Sequence, residues 1–216
     1  MNPIAVMVKH PSNLNLCLQH LVRTPGLHHR HVYFFLNADA YQHENWQVIH
    51  KYGQEGKYKR WHAIMQPKLL NSARHTYFIF SYLFSRQETS SINLLSDTCM
   101  VTPTCIRDCE DLLRWHKCAQ TETVAFSTWP SAPAPHAQPH HIYYTYTPSI
   151  QHLITRNCWM CIKDYLRKHL EEKLHLDDAL MGCKVRKCVT ALKRCWHIDD
   201  SEEANEYERM VEFLEA

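Results

Sequence analysis

Residues 91–113 read SINLLSDTCMVTPTCIRDCEDLL and contain the features that decide the fold. The apolar run at 92–95 predicts a buried strand, and the acidic residue Asp97 follows it closely. Thr102 and Pro103 then form an N-cap and N1 pair, which predicts that an amphipathic helix follows. A buried, unpaired carboxylate costs several kcal/mol. Asp97 is therefore expected at an exposed strand end or opposite a positive group.

The composition is that of a soluble globular protein. The 216 residues suffice for one large domain or two small ones, and 45% are hydrophobic against 21% charged. The net charge is only +2 and no basic stripe stands out, so nucleic acid is not favoured as a partner. The apolar run near the N-terminus is too short for a signal peptide or a membrane span.

Cysteine and histidine are unusually frequent, with ten Cys and 17 His, whereas only four Gly are present. The few glycines argue against a glycine-rich phosphate loop. Cys158 and Cys161 form a CxxC that, with Cys183 and Cys188, would make a four-Cys zinc site. This CxxC lies inside a helical pattern, so buried thiols or a disulfide are favoured over zinc. The cysteines alone leave the redox compartment open.

Apolar strands and amphipathic helices alternate along the first 127 residues, which predicts a mostly parallel sheet covered on both faces by helices. A proline-rich loop is expected at 130–140, and an acidic helix is expected at the C-terminus. Thr155 is the expected N-cap of another amphipathic helix. The predicted strands lie at 3–8, 31–36, 61–65, 92–95, 123–127 and 141–146.

Two carboxylates follow strands of this predicted sheet. Asp39 comes after the second strand and Asp97 after the fourth. Right-handed crossovers bring the carboxyl ends of parallel strands to one edge, where such sheets bind ligands. The sequence therefore predicts that Asp39 and Asp97 face a cleft. The simpler alternatives are an Asx turn for Asp39 and a solvent-facing strand end for Asp97.

The order of these motifs resembles that of GT-A glycosyltransferases that add N-acetylhexosamine. The resemblance is to the GPI-anchor N-acetylgalactosaminyltransferase group and, more distantly, to the N-acetylglucosaminyltransferase IV group. It covers most of the chain and rests on segments that are each weak signals alone. These segments are VYFFLNADAYQHENWQVIHKYG, ARHTYFIFSYLF, INLLSDTCMVTPTCIRDCEDLL, YTPSIQHLITRNCWMCIKDYL and HLDDALMG.

The resemblance implies an enzyme that transfers N-acetylhexosamine from a UDP-sugar to a glycan or glycolipid acceptor. In the family an acidic triplet holds Mn²⁺ or Mg²⁺, which neutralises the leaving diphosphate. Here the triplet reads Ser96-Asp97-Thr98, so only the middle carboxylate remains. The resemblance further implies that Asp39 contacts the nucleoside. It assigns Asp178 as the general base and matches His197 by position to a late metal-binding histidine.

The aromatic helix beside the nucleotide offers Tyr77 as a ring that stacks on uracil, although its stretch also suits a core. Asp177 and Asp178 equally suit the first turn of a helix. We expect one domain over 1–216, with a nucleotide-binding half at 1–129, the loop at 130–140 and an acceptor half at 141–216. The resemblance implies the Golgi or ER lumen, and a cytoplasmic location stays open. Two alternatives remain: a catalytically impaired relative that binds sugar nucleotide or glycan, and a Cys/His-rich zinc-binding interaction module.

Overall fold

The computed structural model describes residues 2–116, 122–127, 142–145, 149–190 and 195–197. Over 115–116, 122–127, 142–145, 149–150, 186–190 and 195–197 it describes the backbone only. The strands are β1 (Ile4–Val8), β2 (His31–Leu36), β3 (Arg60–Met65), β4 (Ser91–Ser96), β5 (Cys99–Val101), β6 (Glu122–Ser127), β7 (Ile142–Thr145), β8 (Ser149–Thr155), β9 (Arg186–Thr190) and β10 (Cys195–His197). The helices are α1 (Pro11–Leu21), α2 (Gln42–Gln54), α3 (Ser72–Phe84), α4 (Cys105–His116), α5 (Arg156–Lys168) and α6 (Leu176–Gly182).

Eight of the described strands form one sheet in the order β3-β2-β1-β4-β8-β6-β9-β7. The first four strands are mutually parallel, which confirms the predicted α/β, Rossmann-like class. β8 then pairs antiparallel with both β4 and β6. The strand at 149–155 was not predicted from the sequence. It joins the parallel strands β3, β2, β1 and β4 to the rest of the sheet.

Helices cover both faces of the parallel half. β-strand side chains alternate between faces, so Val6 and Phe34 enter one cluster while Ala5 and Phe35 enter the other. The first cluster contains apolar residues of α1, α2 and α4, and the second contains those of α3, α5 and α6. The near-continuous apolar sequence of β2 follows from this double burial.

The predicted start of one helix differs from the structure, and that of another agrees with it. α4 begins at Cys105, and a turn closed by the Cys105 N–H donating to the Thr102 carbonyl at 3.0 Å precedes it. The three residues before that turn form β5, which pairs antiparallel with β10. The predicted cap of the α5 helix is confirmed, since the Thr155 hydroxyl accepts the Cys158 N–H.

The proline-rich loop predicted at 130–140 and the acidic C-terminal helix lie outside the described residues. Within the described ranges, no helix combines the length and apolar character that crossing a bilayer requires.

Candidate functional site

The carboxyl ends of β1, β2, β3 and β4 lie at one edge of the sheet, because these strands are parallel and in register. Lys9 follows β1, Asn37 and Asp39 follow β2, and Asp97 follows β4. The structure thus brings both predicted carboxylates to the edge where open α/β sheets bind ligands. The residues of this edge form the candidate site.

Asp97 is fully buried, with 0% of its surface exposed, so it does not line an open cleft as the sequence predicted. Its Oδ2 accepts the backbone N–H of Lys9 at 2.5 Å and that of His10 at 2.8 Å. The carboxylate thereby fixes the turn between β1 and α1. Burial raises the pKa of Asp97 above its usual value, and the amides of His10 and Lys9 act against that rise.

Ser96 and Thr98, the two neighbours of Asp97, are hydrogen-bonded to each other. The Thr98 hydroxyl donates to Ser96 Oγ at 3.0 Å, and Thr98 is the only member of the triplet outside the buried class. Ser96 Oγ also lies 3.4 Å from Asp97 Oδ1. The most accessible member of the predicted metal triplet is therefore a threonine, which has no carboxylate.

This donor set does not fit a divalent metal centre. Mn²⁺ and Mg²⁺ prefer several oxygen ligands including carboxylates, and one oxygen of the single carboxylate is already held by two amides. No group of three His, Cys, Asp or Glu side chains in the described part of the chain could hold a metal. The His197 side chain lies outside the described side chains, while its backbone pairs with Cys99, two residues after Asp97.

Asp39 adopts the Asx turn that its sequence position suggested. Its Oδ1 accepts the Tyr41 backbone N–H at 2.9 Å, which leads the chain into α2. Tyr41 is 41% exposed, and its ring lies 4.5 Å from the His10 ring, centroid to centroid. This pair is an aromatic surface at the ligand edge that the sequence analysis missed; the local signal was Tyr41 in the NADAYQ turn.

Tyr77 is half-buried on α3, and its ring makes an edge contact with Trp159 of α5 at 5.4 Å. It belongs to the packing between these two helices. The role of Tyr77 in stacking on uracil stays a prediction, and Tyr41 is the more exposed of the two rings.

α3 contributes a second residue that sequence reasoning missed. His75, in the first turns of α3, is only 3% exposed, and its Nε2 has no hydrogen-bond partner among the described residues. Burial and the nearby Lys9 ammonium lower the pKa of His75 to about 4. A neutral imidazole therefore lies beside the end of β1.

The segment between α5 and α6 meets the start of α3 at the same edge of the sheet. Asn71 caps α3 and its Nδ2 donates to the Leu170 carbonyl at 2.8 Å, while Ser72 Oγ lies 3.5 Å from His175 Nδ1. His175 precedes α6, whose first turn contains Asp177 and Asp178. The predicted base thus lies in a helix packed against the start of α3.

Asp178 occupies a capping box. Its Oδ2 accepts the His175 backbone N–H at 2.8 Å, and Oδ1 makes no hydrogen bond within the described part of the structure. Asp177 faces inward, with Oδ2 3.8 Å from His152 Nε2. The helix-start interpretation is correct for this pair, and one oxygen of Asp178 is left for chemistry.

The CxxC lies within α5, where Cys158 is buried and Cys161 is exposed. Burial, together with the Cys161 and Cys183 thiols, raises the pKa of Cys158. The Cys158 side chain belongs to the same apolar cluster as Ile162 and Leu166, as the buried-thiol alternative predicts.

The strand order and the helices on both faces define a fold class: a Rossmann-like α/β domain with a mostly parallel sheet, the arrangement of GT-A-like structures. No protein-family model matches the chain. No curated protein matches it by sequence either.

Solved structures resemble it along nearly its whole length. S. aureus TarS 1-349 superposes with a TM-score of 0.62 at 12% identity, covering 98% of this chain, which spans 64% of that structure. The inositol-1-phosphate CTP transferase from T. maritima gives 0.59 at 10% identity, covering 97% of this chain and 95% of its own. A UDP-glucose pyrophosphorylase complexed with UDP-glucose gives 0.55 at 9% identity, covering 99% and 100%. At such identities the likeness is one of fold.

Proposed function

We propose that this chain is a glycosyltransferase domain that transfers N-acetylhexosamine from a UDP-sugar to a glycan or glycolipid acceptor. The observation that carries the proposal is that the ends of β1 and β2 and the start of α6 lie at the same edge of the sheet. The ends of β1 and β2 present Lys9, Asp39 and Tyr41, and α6 brings Asp178 to the start of α3 beside them. A setting in the Golgi or ER lumen belongs to the same proposal, and imaging of the tagged full-length protein tests it.

The donor would bind along the ends of β1 and β2. The exposed Lys9 ammonium is suited to the diphosphate, and the Asp39 turn places the Tyr41 ring where it stacks on a planar base. The buried, neutral imidazole of His75 lies next to Lys9 and can donate or accept a hydrogen bond. Because the described donors do not fit a metal centre, Lys9 takes the role of neutralising the leaving group.

The transfer step needs a base for the acceptor. Its hydroxyl oxygen forms a bond to the anomeric carbon while the bond from that carbon to the diphosphate oxygen breaks, and UDP leaves with the electron pair. The hydroxyl proton moves to a carboxylate. Asp178 Oδ1 is available for it, since the helix cap uses only Oδ2.

A second candidate is a relative that binds a sugar nucleotide without turnover. One observation favours it: Asp97, the carboxylate of the motif, is buried and hydrogen-bonded to the β1–α1 turn. Such a protein would keep the donor pocket and lack the transfer step. Binding and UDP release must therefore be measured separately.

Donor binding is tested by thermal unfolding with UDP-N-acetylglucosamine and UDP-N-acetylgalactosamine, each with and without Mn²⁺. A ligand at a hundred times its dissociation constant stabilises the fold by about 2.7 kcal/mol. Lys9→Gln should remove most of the shift, and Lys51→Gln, an exposed lysine on α2, is the matched control. Absence of a shift with both UDP-sugars would refute the proposed donor.

Turnover is tested by release of UDP in the presence of glycan acceptors. Asp178→Asn keeps an oxygen that caps α6 but cannot take a proton, so we expect a loss of about 10²-fold or more with little change in stability. Asp177→Asn is the neighbouring control. Binding without any release by the parent protein would select the second candidate. Elemental analysis addresses the zinc module, which requires about one tightly bound zinc per chain.

A further inference from the structure

A cavity of about 450 Å³ opens at the opposite edge of the sheet, where β1, β2 and β4 begin. β2 has six residues, which at roughly 3.3 Å per residue places this cavity roughly 20 Å from the donor edge. Volumes of this size accommodate small molecules. The cavity is lined by Asn2, Pro3, His31, Tyr33, Arg86, Glu88, Thr89 and Ser90.

Arg86 is held in this cavity by two tyrosines. Its Nη1 donates to the Tyr33 hydroxyl at 2.6 Å and its Nη2 to the Tyr82 hydroxyl at 3.1 Å. The guanidinium carbon lies 5.3 Å and 5.1 Å from the centres of the same two rings. Burial raises the pKa of Tyr33, so its hydroxyl stays protonated at neutral pH.

The charge of Arg86 is not neutralised by a carboxylate in the described part of the chain, where no ion pair involves it. A guanidinium has five N–H donors, and the two tyrosines accept from only two of them. Planar donors in this fork geometry match the oxygens of a phosphate or carboxylate. Arg86 is therefore a positioned cation that still has N–H groups available for a ligand.

The loop that carries Arg86 is itself fixed by a second arginine. The Arg156 guanidinium donates to the carbonyls of Phe84, Arg86 and Thr89, each at 2.7 Å. The Arg156 backbone N–H also donates to the Ser90 carbonyl at 2.8 Å. The cavity wall is thus organised before any ligand arrives, which lowers the entropy cost of binding.

Apart from Pro3 and the aromatic ring of Tyr33, the rest of the lining offers polar groups and includes one acidic side chain. Thr89 and Ser90 offer hydroxyls, and Glu88 offers an acceptor that no ion pair in the described residues engages. A carboxylate in the lining of the same cavity disfavours a ligand that is anionic throughout. It suits a ligand with hydroxyl donors away from its charged end.

We propose that this cavity binds a small polyhydroxylated molecule through a single phosphate or carboxylate group that pairs with Arg86. Sugar phosphates and sugar acids share this chemistry. The site lies outside the proposed donor edge, so it does not depend on the proposed transfer reaction.

Calorimetric titration of the full-length protein with glucose 6-phosphate, glucuronate and glucose tests the proposal. We expect at least one charged probe to bind and neutral glucose to bind at least tenfold more weakly; the two charged probes distinguish phosphate from carboxylate. Arg86→Gln should raise the dissociation constant at least tenfold, whereas Arg23→Gln, an exposed arginine after α1, should change it less than twofold.

A second variant guards against a change in folding. Tyr82→Phe keeps the cation and removes one of its two hydroxyl partners, so a smaller loss, of about two- to fivefold, is expected. Equal binding by the parent and Arg86→Gln, equal binding of glucose, or no binding of either charged probe would overturn the proposal. Displacement of the probe by UDP would place it at the other edge and would also overturn it.

Discussion

The Oδ2 atom of Asp97 lies 2.8 Å from the backbone nitrogen of His10, and the amide of Lys9 donates to the same oxygen. A metal motif would use this residue as a ligand. Here its carboxylate connects the end of β4 to the start of α1 through two hydrogen bonds. Since Lys9 is an exposed cation at the carboxyl edge of the sheet, Asp97 acts on the candidate site through the position of Lys9.

Replacing Asp97 by Ala should destabilise the fold by about 2–4 kcal/mol, because two backbone donors lose a charged acceptor in a buried place. Asp97→Asn keeps one carbonyl oxygen for these amides and should cost about half as much. Urea unfolding followed by circular dichroism measures both. Equal stability of Asp97→Ala and the parent would show that these two hydrogen bonds contribute nothing to the free energy of unfolding.

The same pair of variants separates structure from ligand chemistry. If Asp97 only positions Lys9, Asp97→Asn should bind UDP-sugar within about threefold of the parent, and Mn²⁺ should change neither protein's affinity. A loss in Asp97→Asn that appears only when Mn²⁺ is present would instead mean that the carboxylate ligates the metal.

His75 predicts a pH dependence of stability. Burial lowers its pKa to about 4 in the folded state, whereas the unfolded chain takes up the proton near pH 6.5. The unfolded state therefore binds more protons between these values, and stability is complete above pH 6.5 and falls as the pH drops towards 4. The loss amounts to about 3 kcal/mol.

His75→Phe provides the comparison, since it fills the same buried place without a titrating group. The difference in unfolding free energy between parent and variant should be flat above pH 7 and change steadily between pH 6.5 and 4. A difference that is constant over the whole range would contradict the burial of a neutral imidazole.

Arg30 and Glu110 form a two-pronged ion pair with nitrogen–oxygen distances of 2.6 and 2.8 Å, and they are only 6% and 14% exposed. Glu110→Gln leaves the buried guanidinium unneutralised and should cost about 3–5 kcal/mol. Asp164→Asn, which breaks the exposed pair with Arg167, should cost less than about 1 kcal/mol. Similar losses in thermal unfolding for both variants would contradict the difference in burial.

Gly53 lies inside α2, which continues to Gln54, so a helix C-cap does not account for this glycine. A Cβ at this position would lie 2.7 Å from Trp61 Nε1, so close packing explains the glycine. Gly53→Ala should therefore destabilise the protein by about 1–2 kcal/mol, although alanine favours a helix by about 1 kcal/mol. In a Trp61→Ala background the same change should stabilise; destabilisation there too would exclude the tryptophan contact as the cause.

The parallel half of the sheet could be predicted from sequence because strands buried on both faces leave strong apolar runs, as at 31–36 and 92–95. The strand at 149–155 was missed because it includes Gln151 and His152, which are buried in the structure despite their polarity. Its partners are distant in sequence, and local patterns do not report them.

The site was predicted to the level of the sheet edge and no further. Strand ends locate Asp39 and Asp97, but the direction in which the Asp97 side chain points depends on the amides of Lys9 and His10, which are 88 and 87 residues away. The helix start at Asp177 and Asp178 was visible locally. The buried imidazole of His75 was not, since its environment comes from packing.

Strand β4 has β1 on one side and β8 on the other, and the β8 segment is synthesised more than fifty residues after β4. Until residues 149–155 arrive, one side of an apolar strand presents unpaired amides and carbonyls, which is the geometry that recruits strands from other molecules. Truncated forms that end before this segment should consequently aggregate during expression. The chain therefore stays soluble only once β8 has paired with β4, a dependence that is hidden in the folded protein.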